Sequence, residues 1–220
     1  AYLLQVGEKA LLWIRLVAKG RAGHGSRFHP DNAVTKLAEA VAAIGRTPWP
    51  IHLTATTRDF LDRMSALSGL PVDDPDALAA TAGPAEAFLR STLRTTTNPT
   101  VLQAGYKHNV IPERAEALID VRVIPGMEDE VLDQLRALVG EDIELEMVVQ
   151  DIGMETPFAG DLVEAMVAAL ARHDPGVPVI PYLLGAGTDN KALAYLGITG
   201  YGFAPLKLPA DLDFTGMFHG

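Results

Sequence analysis

The spacing of hydrophobic positions gives residues 9–150 a regular pattern. Apolar and polar residues alternate in three segments, centred near Ile14, Val121 and Leu145, and apolar residues recur every three or four positions in two others. Alternation is typical of half-buried strands, and the longer period is typical of amphipathic helices. With a further strand near Val101, the order is β-α-β-β-α-β. This order predicts an α+β domain in which a four-stranded antiparallel sheet carries two helices on one face.

Both predicted helices have recognisable ends. We expect the first helix to begin at Pro30 and to end at Gly45, and the second to begin after Pro125-Gly126 and to end at Gly140. Proline is tolerated in the first turn of a helix, and glycine is common just after its end.

Residues 47–98 interrupt this pattern. Two helical stretches, around Phe60 and around Leu89, are separated by several prolines. Since proline ends or kinks a helix, the segment is expected to form several short helices. We therefore interpret 47–98 as a mostly helical insertion in the domain 9–150.

Residues 151–220 follow a different pattern. A helix around Met166, an apolar strand at 179–184 and a helix at 189–196 alternate along the chain. Such alternation predicts part of an α/β layer with a parallel sheet. These elements are too few to complete such a sheet. We therefore expect 151–220, together with residues 1–8, to be parts of a larger domain.

Composition and charge narrow the possible functions. A formal net charge of −10 and a pI near 5.0 argue against a nucleic-acid partner, because affinity for phosphates needs clustered Lys and Arg. No apolar run is long enough to cross a bilayer. The chain has no cysteine, which fits a cytoplasmic location and leaves His, Asp and Glu to carry any metal chemistry. Small molecules or other protein surfaces are the expected partners.

The first candidate for chemistry is the segment 20–30, in which His24 lies between two glycines. Glycine on both sides lets the backbone approach a ligand or a partner while one imidazole is directed at it. The alternative is structural: the glycines turn the chain, and His24 caps the following helix. Both explanations fit a motif this short.

Two more polar residues of the same domain are candidates. Asn109 lies in a loop between two strands, where it is either a ligand-binding residue or an ordinary turn residue. Arg122 lies within a strand on the face opposite the apolar one, where a guanidinium can hold a carboxylate with two hydrogen bonds. Taken alone, an ion pair between Arg122 and Asp120 is the better explanation.

The last two candidates lie in the C-terminal part. Gly187 and Thr188 belong to a glycine-rich loop between a strand and a helix, whose backbone amides suit an anion such as a carboxylate. His219 taken alone is only a histidine near the end of the chain.

Together, these motifs resemble those of the aminoacylase, acetylornithine deacetylase, succinyl-diaminopimelate desuccinylase and glutamate carboxypeptidase family of two-zinc metallopeptidases. The resemblance covers nearly the whole chain. It rests on Gly-His-Gly-Ser, Asn-Val-Ile-Pro, Asp-Val-Arg, Gly-Thr-Asp and Phe-His-Gly, in that order. The sequences around His24 and around Thr188 are most similar to the corresponding sequences of aminoacylases.

The resemblance implies both a fold and an activity. Residues 9–150 would form the family's dimerisation lid, and residues 1–8 and 151–220 would be parts of an α/β zinc-peptidase catalytic domain. Such enzymes hold two zinc ions, and a Glu acts as general base on a metal-bound water. They cleave an amide bond next to a free carboxylate, in an N-acyl amino acid or a dipeptide.

The resemblance also implies roles for individual residues. His24 is similar to the lid histidine that reaches the partner's site in a homodimer and stabilises the developing oxyanion, although His29 is near enough in sequence to be confused with it. His219 is similar to the last zinc ligand. The positions that hold the substrate's carboxylate or carbonyl are matched by Asn109, Arg122, Gly187 and Thr188.

The other zinc ligands and the base belong, in this family, to an N-terminal segment with a His-x-Asp and a Glu-Glu pair, which has no counterpart here. The six histidines form neither His-x-His nor His-Glu-x-x-His. We therefore expect the 220-residue chain alone to bind no stoichiometric zinc and to hydrolyse nothing. The alternative, from another class of function, is a stand-alone dimerisation or ligand-binding module.

Overall fold

A computed structural model describes residues 1–209 and residue 212 of the chain. The strands are β1 (Tyr2–Glu8), β2 (Ala10–Lys19), β3 (Gly23–His24), β4 (Thr96–Ala104), β5 (Val110–Ile111), β6 (Arg114–Val123), β7 (Ile143–Asp151), β8 (Met154–Glu155) and β9 (Val179–Leu184). The α-helices are α1 (Ala33–Arg46), α2 (Ala55–Ser68), α3 (Pro75–Ala80), α4 (Glu86–Thr92), α5 (Glu128–Val139), α6 (Asp161–His173) and α7 (Asn190–Tyr195), and a 3-10 turn covers Gly83–Ala85. In these described residues, no helix has both the length and the apolar composition that a bilayer span requires.

The elements form two compact units. The four-stranded unit consists of Ala10–Pro50 and Thr96–Ile152. The three-stranded unit consists of Ala1–Lys9, Ile51–Thr95 and the described residues from Gly153 onward.

The four-stranded unit is an antiparallel sheet in the order β4-β6-β2-β7, and the sequence predicts its four strands and their antiparallel pairing. Ile14 of β2 and Ile119 of β6 lie on the buried face of the sheet, where they pack in one core with α1 and α5. On the opposite face, Asp120 and Arg122 are half-buried and Trp13 is exposed. The amphipathic pattern therefore identifies correctly which face of the sheet carries the helices.

Helix α1 begins at Ala33, later than the predicted start at Pro30. The reason is a side-chain cap: Asn32 accepts hydrogen bonds from the backbone N–H groups of Val34 and Thr35. The helix also continues through Gly45 to Arg46. The predicted end of α5 is correct, since Gly140 is its C-cap and has a φ of 72°.

The helical segment 51–95 packs in the three-stranded unit, whereas its sequence suggests an insertion in the domain 9–150. Phe60 of α2 and Leu89 of α4 share one hydrophobic cluster with Ile180 of β9. Glu155 of β8 accepts a hydrogen bond from the hydroxyl of Thr54, the N-cap of α2. These contacts join residues far apart in the sequence, so local periodicity does not reveal them.

The three-stranded unit is a mixed sheet in the order β8-β1-β9. Strand β1 runs parallel to β9 and antiparallel to the two-residue strand β8. A second hydrophobic cluster joins Leu4 and Val6 of β1 to Met166 and Leu170 of α6. The parallel pair agrees with the predicted α/β layer. Strand β1 itself could not be predicted from alternation, because apolar and polar residues do not alternate in residues 2–8. Its residues are buried almost continuously, so no polar face alternates with an apolar one.

Candidate functional site

Two short strands hold His24 beside Asn109 in the four-stranded unit. Strands β3 and β5 pair Gly23 with Ile111 and His24 with Val110. The N–H of Gly25 then donates to the carbonyl of Asn109 at 2.9 Å. Two motifs that lie far apart in the sequence are thus brought into contact. Because Asn32 caps α1, the alternative explanation that His24 caps this helix is wrong.

The His24 cluster consists of His24, Ser26 and Asn109, all exposed. The backbone N–H of Ser26 donates to Nδ1 of His24 at 3.2 Å, and the Ser26 hydroxyl lies 2.8 Å from the same nitrogen. A backbone N–H can only donate, so Nδ1 must accept. In the neutral imidazole the proton therefore lies on Nε2, and this N–H is an available donor.

The second donor of the cluster is the side-chain amide of Asn109. Its Nδ2 lies 3.4 Å from Nε2 of His24. In this tautomer, and with the Asn109 amide in this orientation, both nitrogens carry hydrogen and neither accepts from the other. Two donors at this separation can converge on one oxygen atom of a ligand, at about 2.9 Å from each. The arrangement therefore suits an oxyanion or a carboxylate oxygen.

The glycines near His24 differ in how much space surrounds them. A Cβ at position 20 would lie 2.7 Å from the backbone nitrogen of Ala33 and 2.8 Å from the carbonyl oxygen of Asp31. Gly20 therefore permits a close approach of two backbone segments. A Cβ at position 25 would meet only Asn109, at an ordinary 3.5 Å.

His29 has a different environment from His24. A Cβ at position 23 would lie 2.9 Å from Cδ2 of His29 and 3.0 Å from its Nε2, so the ring packs against Gly23. Its Nδ1 is buried and has no hydrogen-bond partner among the described residues. Of the two histidines that the motif could supply, His24 is therefore the accessible one.

Arg122 forms the ion pair that its sequence context favours. Its Nε donates to Oδ1 of Asp120 at 2.6 Å, and its Nη2 donates to Oδ2 at 2.9 Å. The indole of Trp13 donates to the same Oδ2 at 3.2 Å. Any ligand of Arg122 would therefore share the guanidinium with Asp120.

A second polar cluster lies in the three-stranded unit and contains Thr188. The Glu8 cluster consists of Gln5, Glu8, Lys9, Thr188 and Lys191. Glu8 is the last residue of β1 and is fully buried. Its Oε2 accepts the backbone N–H of Thr188 at 2.9 Å, while its Oε1 accepts the Thr188 hydroxyl and, at 2.6 Å, the Nε2 of Gln5. Three donors thus satisfy one buried carboxylate.

Two buried lysines complete the Glu8 cluster. Lys191 of α7 donates through Nζ to the carbonyl of Lys9 at 2.8 Å, and Lys9 donates through Nζ to the carbonyl of Arg94 at 2.5 Å. Burial, and in addition the charge of Glu8, raises the pKa of the nearby Tyr182 phenol above its ordinary value. Thr188 in the loop and Lys191 just after it therefore both bind to the end of β1, at Glu8 and at the adjacent Lys9.

No complete metal site lies in the described residues. Among them, no three His, Asp or Glu side chains are close enough together to hold a metal ion. His219 lies outside the described residues. The residues described here therefore do not fit a complete metal centre, and no reaction step is assigned to a metal.

Two residues of the Glu8 cluster carry no sequence motif. Glu8 and Gln5 of β1 become neighbours of Thr188 and Lys191 only when β1 pairs with β9 and α7 follows. The one available signal is the pair Glu8-Lys9, two charges directly after an apolar run. Charged residues are rarely fully buried unless they are paired, so this pair alone predicts solvent exposure.

Comparison with known proteins identifies the family. The model of the peptidase dimerisation domain matches residues 6–144. Over 213 residues the chain is 26% identical to aminoacylase-1 of Homo sapiens, with 94% of this chain and 45% of that protein covered. It is also 26% identical over 215 residues to a probable carboxypeptidase S-like protein of Dictyostelium discoideum, covering 92% of this chain and 41% of that protein.

Solved structures share the fold. A metallo-carboxypeptidase from Sulfolobus solfataricus aligns with a TM-score of 0.59 and 19% identity, covering 90% of this chain and 50% of that one. The chain spans less than half the length of the two curated relatives described above.

Proposed function

Since the chain belongs to the peptidase dimerisation domain family of aminoacylase-like and carboxypeptidase-like metallopeptidases, we propose that its parent protein is a metal-dependent amidohydrolase or exopeptidase. The bond cleaved is an amide next to a free carboxylate, in an N-acyl amino acid or a dipeptide. In this proposal, the four-stranded unit is the dimerisation lid, and the three-stranded unit is part of the catalytic domain. We also propose a cytoplasmic location for the parent; the 220 residues of this chain contain no cysteine that would need an oxidising compartment.

The observation that carries this proposal is the pair of converging donors in the His24 cluster. Nε2–H of His24 and the amide of Asn109, 3.4 Å apart, can both donate to an oxygen that gains negative charge when an amide carbonyl is attacked. The contact between Ser26 and Nδ1 fixes the tautomer that makes Nε2 a donor. Because the cluster is exposed and is held by a two-stranded sheet, it is suited to contact a site on another subunit.

The test uses the full-length parent enzyme and the variants His24→Ala and Asn109→Ala. Loss of one oxyanion donor typically lowers turnover by ~10²–10³, so we expect kcat to fall by this amount in each variant with a smaller change in KM. His29→Ala is the matched control, because His29 lies in the same segment but packs against Gly23. A kcat for His24→Ala equal to that for His29→Ala would contradict the oxyanion role.

Arg122, Gly187 and Thr188 hold the substrate's carboxylate or carbonyl in the same proposal. Arg122 supplies a guanidinium whose orientation Asp120 fixes with two hydrogen bonds. Thr188 is bonded to Glu8 through both its N–H and its hydroxyl. Its contribution is therefore to hold the adjacent backbone of Gly187 in place for the ligand.

The proposal for metal binding differs between the intact parent and the 220-residue chain alone. In the intact parent, His219 would be one ligand of a two-zinc centre, and such a centre would supply Lewis-acid chemistry. The 220-residue chain alone is expected to bind no stoichiometric zinc and to be inactive. Metal analysis after dialysis tests this expectation, and one or two bound equivalents would contradict it.

The lid is also proposed to form a two-fold homodimer through α1 and the neighbouring strand β4. β4 is an edge strand of the sheet, and it exposes Val101 and Leu102. An exposed edge with apolar side chains requires a covering partner. If the parent gene encodes no upstream metal-binding segment, the stand-alone dimerisation module becomes the better explanation.

A further inference from the structure

We infer that Glu8 is a positioning residue that holds the Gly187-Thr188 loop in the conformation that binds substrate. The inference rests on the proposed function, because it concerns the loop to which that function assigns the substrate. Glu8 contacts no substrate itself. It acts through Thr188, to which it is bonded twice.

Glu8 is fully buried and depends on the loop for its hydrogen bonds. Glu8 has no exposed surface, and an ionised carboxylate in such a position is costly unless donors satisfy it. Two of its three donors come from Thr188 and one comes from Gln5. The carboxylate is therefore stable only while the loop stays in place, and the loop stays in place because the carboxylate holds it.

Within the loop, Thr188 is hydrogen-bonded to Glu8, whereas the N–H of Gly187 is not. The N–H and the hydroxyl of Thr188 are both committed to Glu8. The hydroxyl oxygen also accepts the N–H of Asn190 at 3.2 Å. Within the described part of the chain, the N–H of Gly187 makes no hydrogen bond. The N–H of Gly187 thus stays available to a ligand, while Glu8 fixes the direction of the N–H of Thr188.

Lys191 lies close to Gly187 and brings a positive charge to the loop. A buried carboxylate near a loop that binds another carboxylate would repel the ligand, unless a cation lies close by. Lys191 supplies this cation: a Cβ at position 187 would lie 3.5 Å from its Nζ. The same ammonium bonds to the carbonyl of Lys9, so its place is fixed by the strand end that carries Glu8.

The experiment replaces Glu8 by glutamine in the full-length parent enzyme. Glutamine has the same shape but offers one acceptor oxygen to three donors, so at least one donor of Thr188 or Gln5 loses its partner. Hydrogen exchange of peptides covering residues 185–190 should become faster. The KM for N-acetyl-L-methionine should rise by roughly 10- to 100-fold, with a smaller change in kcat. The KM for N-acetyl-L-methioninamide, which lacks the free carboxylate, should change much less.

Three further variants separate positioning from general stability. Gln5→Met removes one donor to the same carboxylate without touching the loop, so exchange at 185–190 and KM should change less than in Glu8→Gln. Thr188→Ser keeps both hydrogen bonds to Glu8, so hydrogen exchange at 185–190 should stay slow, whereas Thr188→Val loses the hydroxyl and should speed this exchange as Glu8→Gln does. Combining Thr188→Val with Glu8→Gln should add little, because both changes break the same contact.

Three results would overturn the inference: unchanged exchange at 185–190 in Glu8→Gln, an unchanged KM despite faster exchange, or equal effects on the carboxylate and amide substrates. Failure of the proposed function is a separate result. It would appear as a wild-type parent that hydrolyses neither an N-acyl amino acid nor a dipeptide. The exchange measurement would then still show whether Glu8 holds the loop, while its role in substrate binding would be excluded.

Discussion

The contact between Gly23 and His29 gives a quantitative test of the structure around His24. In Gly23→Ala, the new Cβ would lie 2.9 Å from Cδ2 and 3.0 Å from Nε2 of His29. Carbon atoms in good contact are about 3.5–4.0 Å apart, so the ring must move by roughly 0.5–1 Å. Overpacking of this kind typically costs about 1–3 kcal/mol of unfolding free energy.

Gly25→Ala is the matched control, because its Cβ meets only ordinary contacts at 3.5 Å and beyond. Neither glycine has a positive φ, so both variants should gain about 0.4–1 kcal/mol by restricting the unfolded chain. The difference between them therefore isolates the clash. Gly25→Ala should match or exceed the stability of the wild type, and Gly23→Ala should be about 1–3 kcal/mol less stable than Gly25→Ala.

Urea unfolding followed by tryptophan fluorescence suits this measurement, because both tryptophans, Trp13 and Trp49, lie in the four-stranded unit. With a slope of about 2 kcal/mol per molar urea, a clash of about 2 kcal/mol separates the two midpoints by roughly 1 M. His29→Ala should remove most of the clash in the Gly23→Ala background. Equal midpoints for the two glycine variants, or no relief from His29→Ala, would refute the packing described here.

Leu102→Lys on the exposed edge strand β4 should convert the dimer to a monomer, as measured by sedimentation at micromolar concentration. The control Leu67→Lys, at a similarly exposed position in the three-stranded unit, should leave the dimer intact. A Leu102→Lys variant that still forms a dimer would contradict the proposed interface. Gly187→Ala should fold normally, because its Cβ meets only the Lys191 side chain at 3.5 Å, and should raise the KM of the parent enzyme; an unchanged KM would exclude the close approach of substrate. The hydrogen bond from Lys36 lowers the pKa of Asp31 below 3.8, so this pair stabilises the fold above that pH, and its contribution is lost as the pH falls through the lowered value. Lys36→Met should therefore reduce stability near neutral pH, with a difference from the wild type that narrows in acid or in high salt; a difference independent of pH would contradict this origin.

The four-stranded sheet could be predicted because its signals are local. Ile14 and Ile119 lie on apolar faces that alternate with polar ones, and one face is covered by amphipathic helices. The grouping of segment 51–95 could not be predicted in this way. The helical periodicity around Phe60 and around Leu89 would be the same whichever unit these helices joined. Only their contact with Ile180 shows where they pack.

The candidate site was predictable to a smaller degree. His24 and Asn109 were identified as separate motifs, and only the pairing of β3 with β5 brings them together. Asn32 replaces Pro30 as the start of α1, because a side-chain cap satisfies helix N–H groups that a proline cannot. Glu8 was missed because a charged residue next to another charge usually lies on the surface.

In the proposed function, His24 stabilises the oxyanion in the site of the partner subunit. The most direct test mixes two inactive variants of the full-length parent, His24→Ala and a variant that lacks the general-base Glu. In a two-fold dimer, the mixed species holds one site with both groups intact, so up to about half of the wild-type activity should return per heterodimer. No recovery, despite demonstrated exchange of subunits, would mean that His24 acts within its own subunit or serves only the fold.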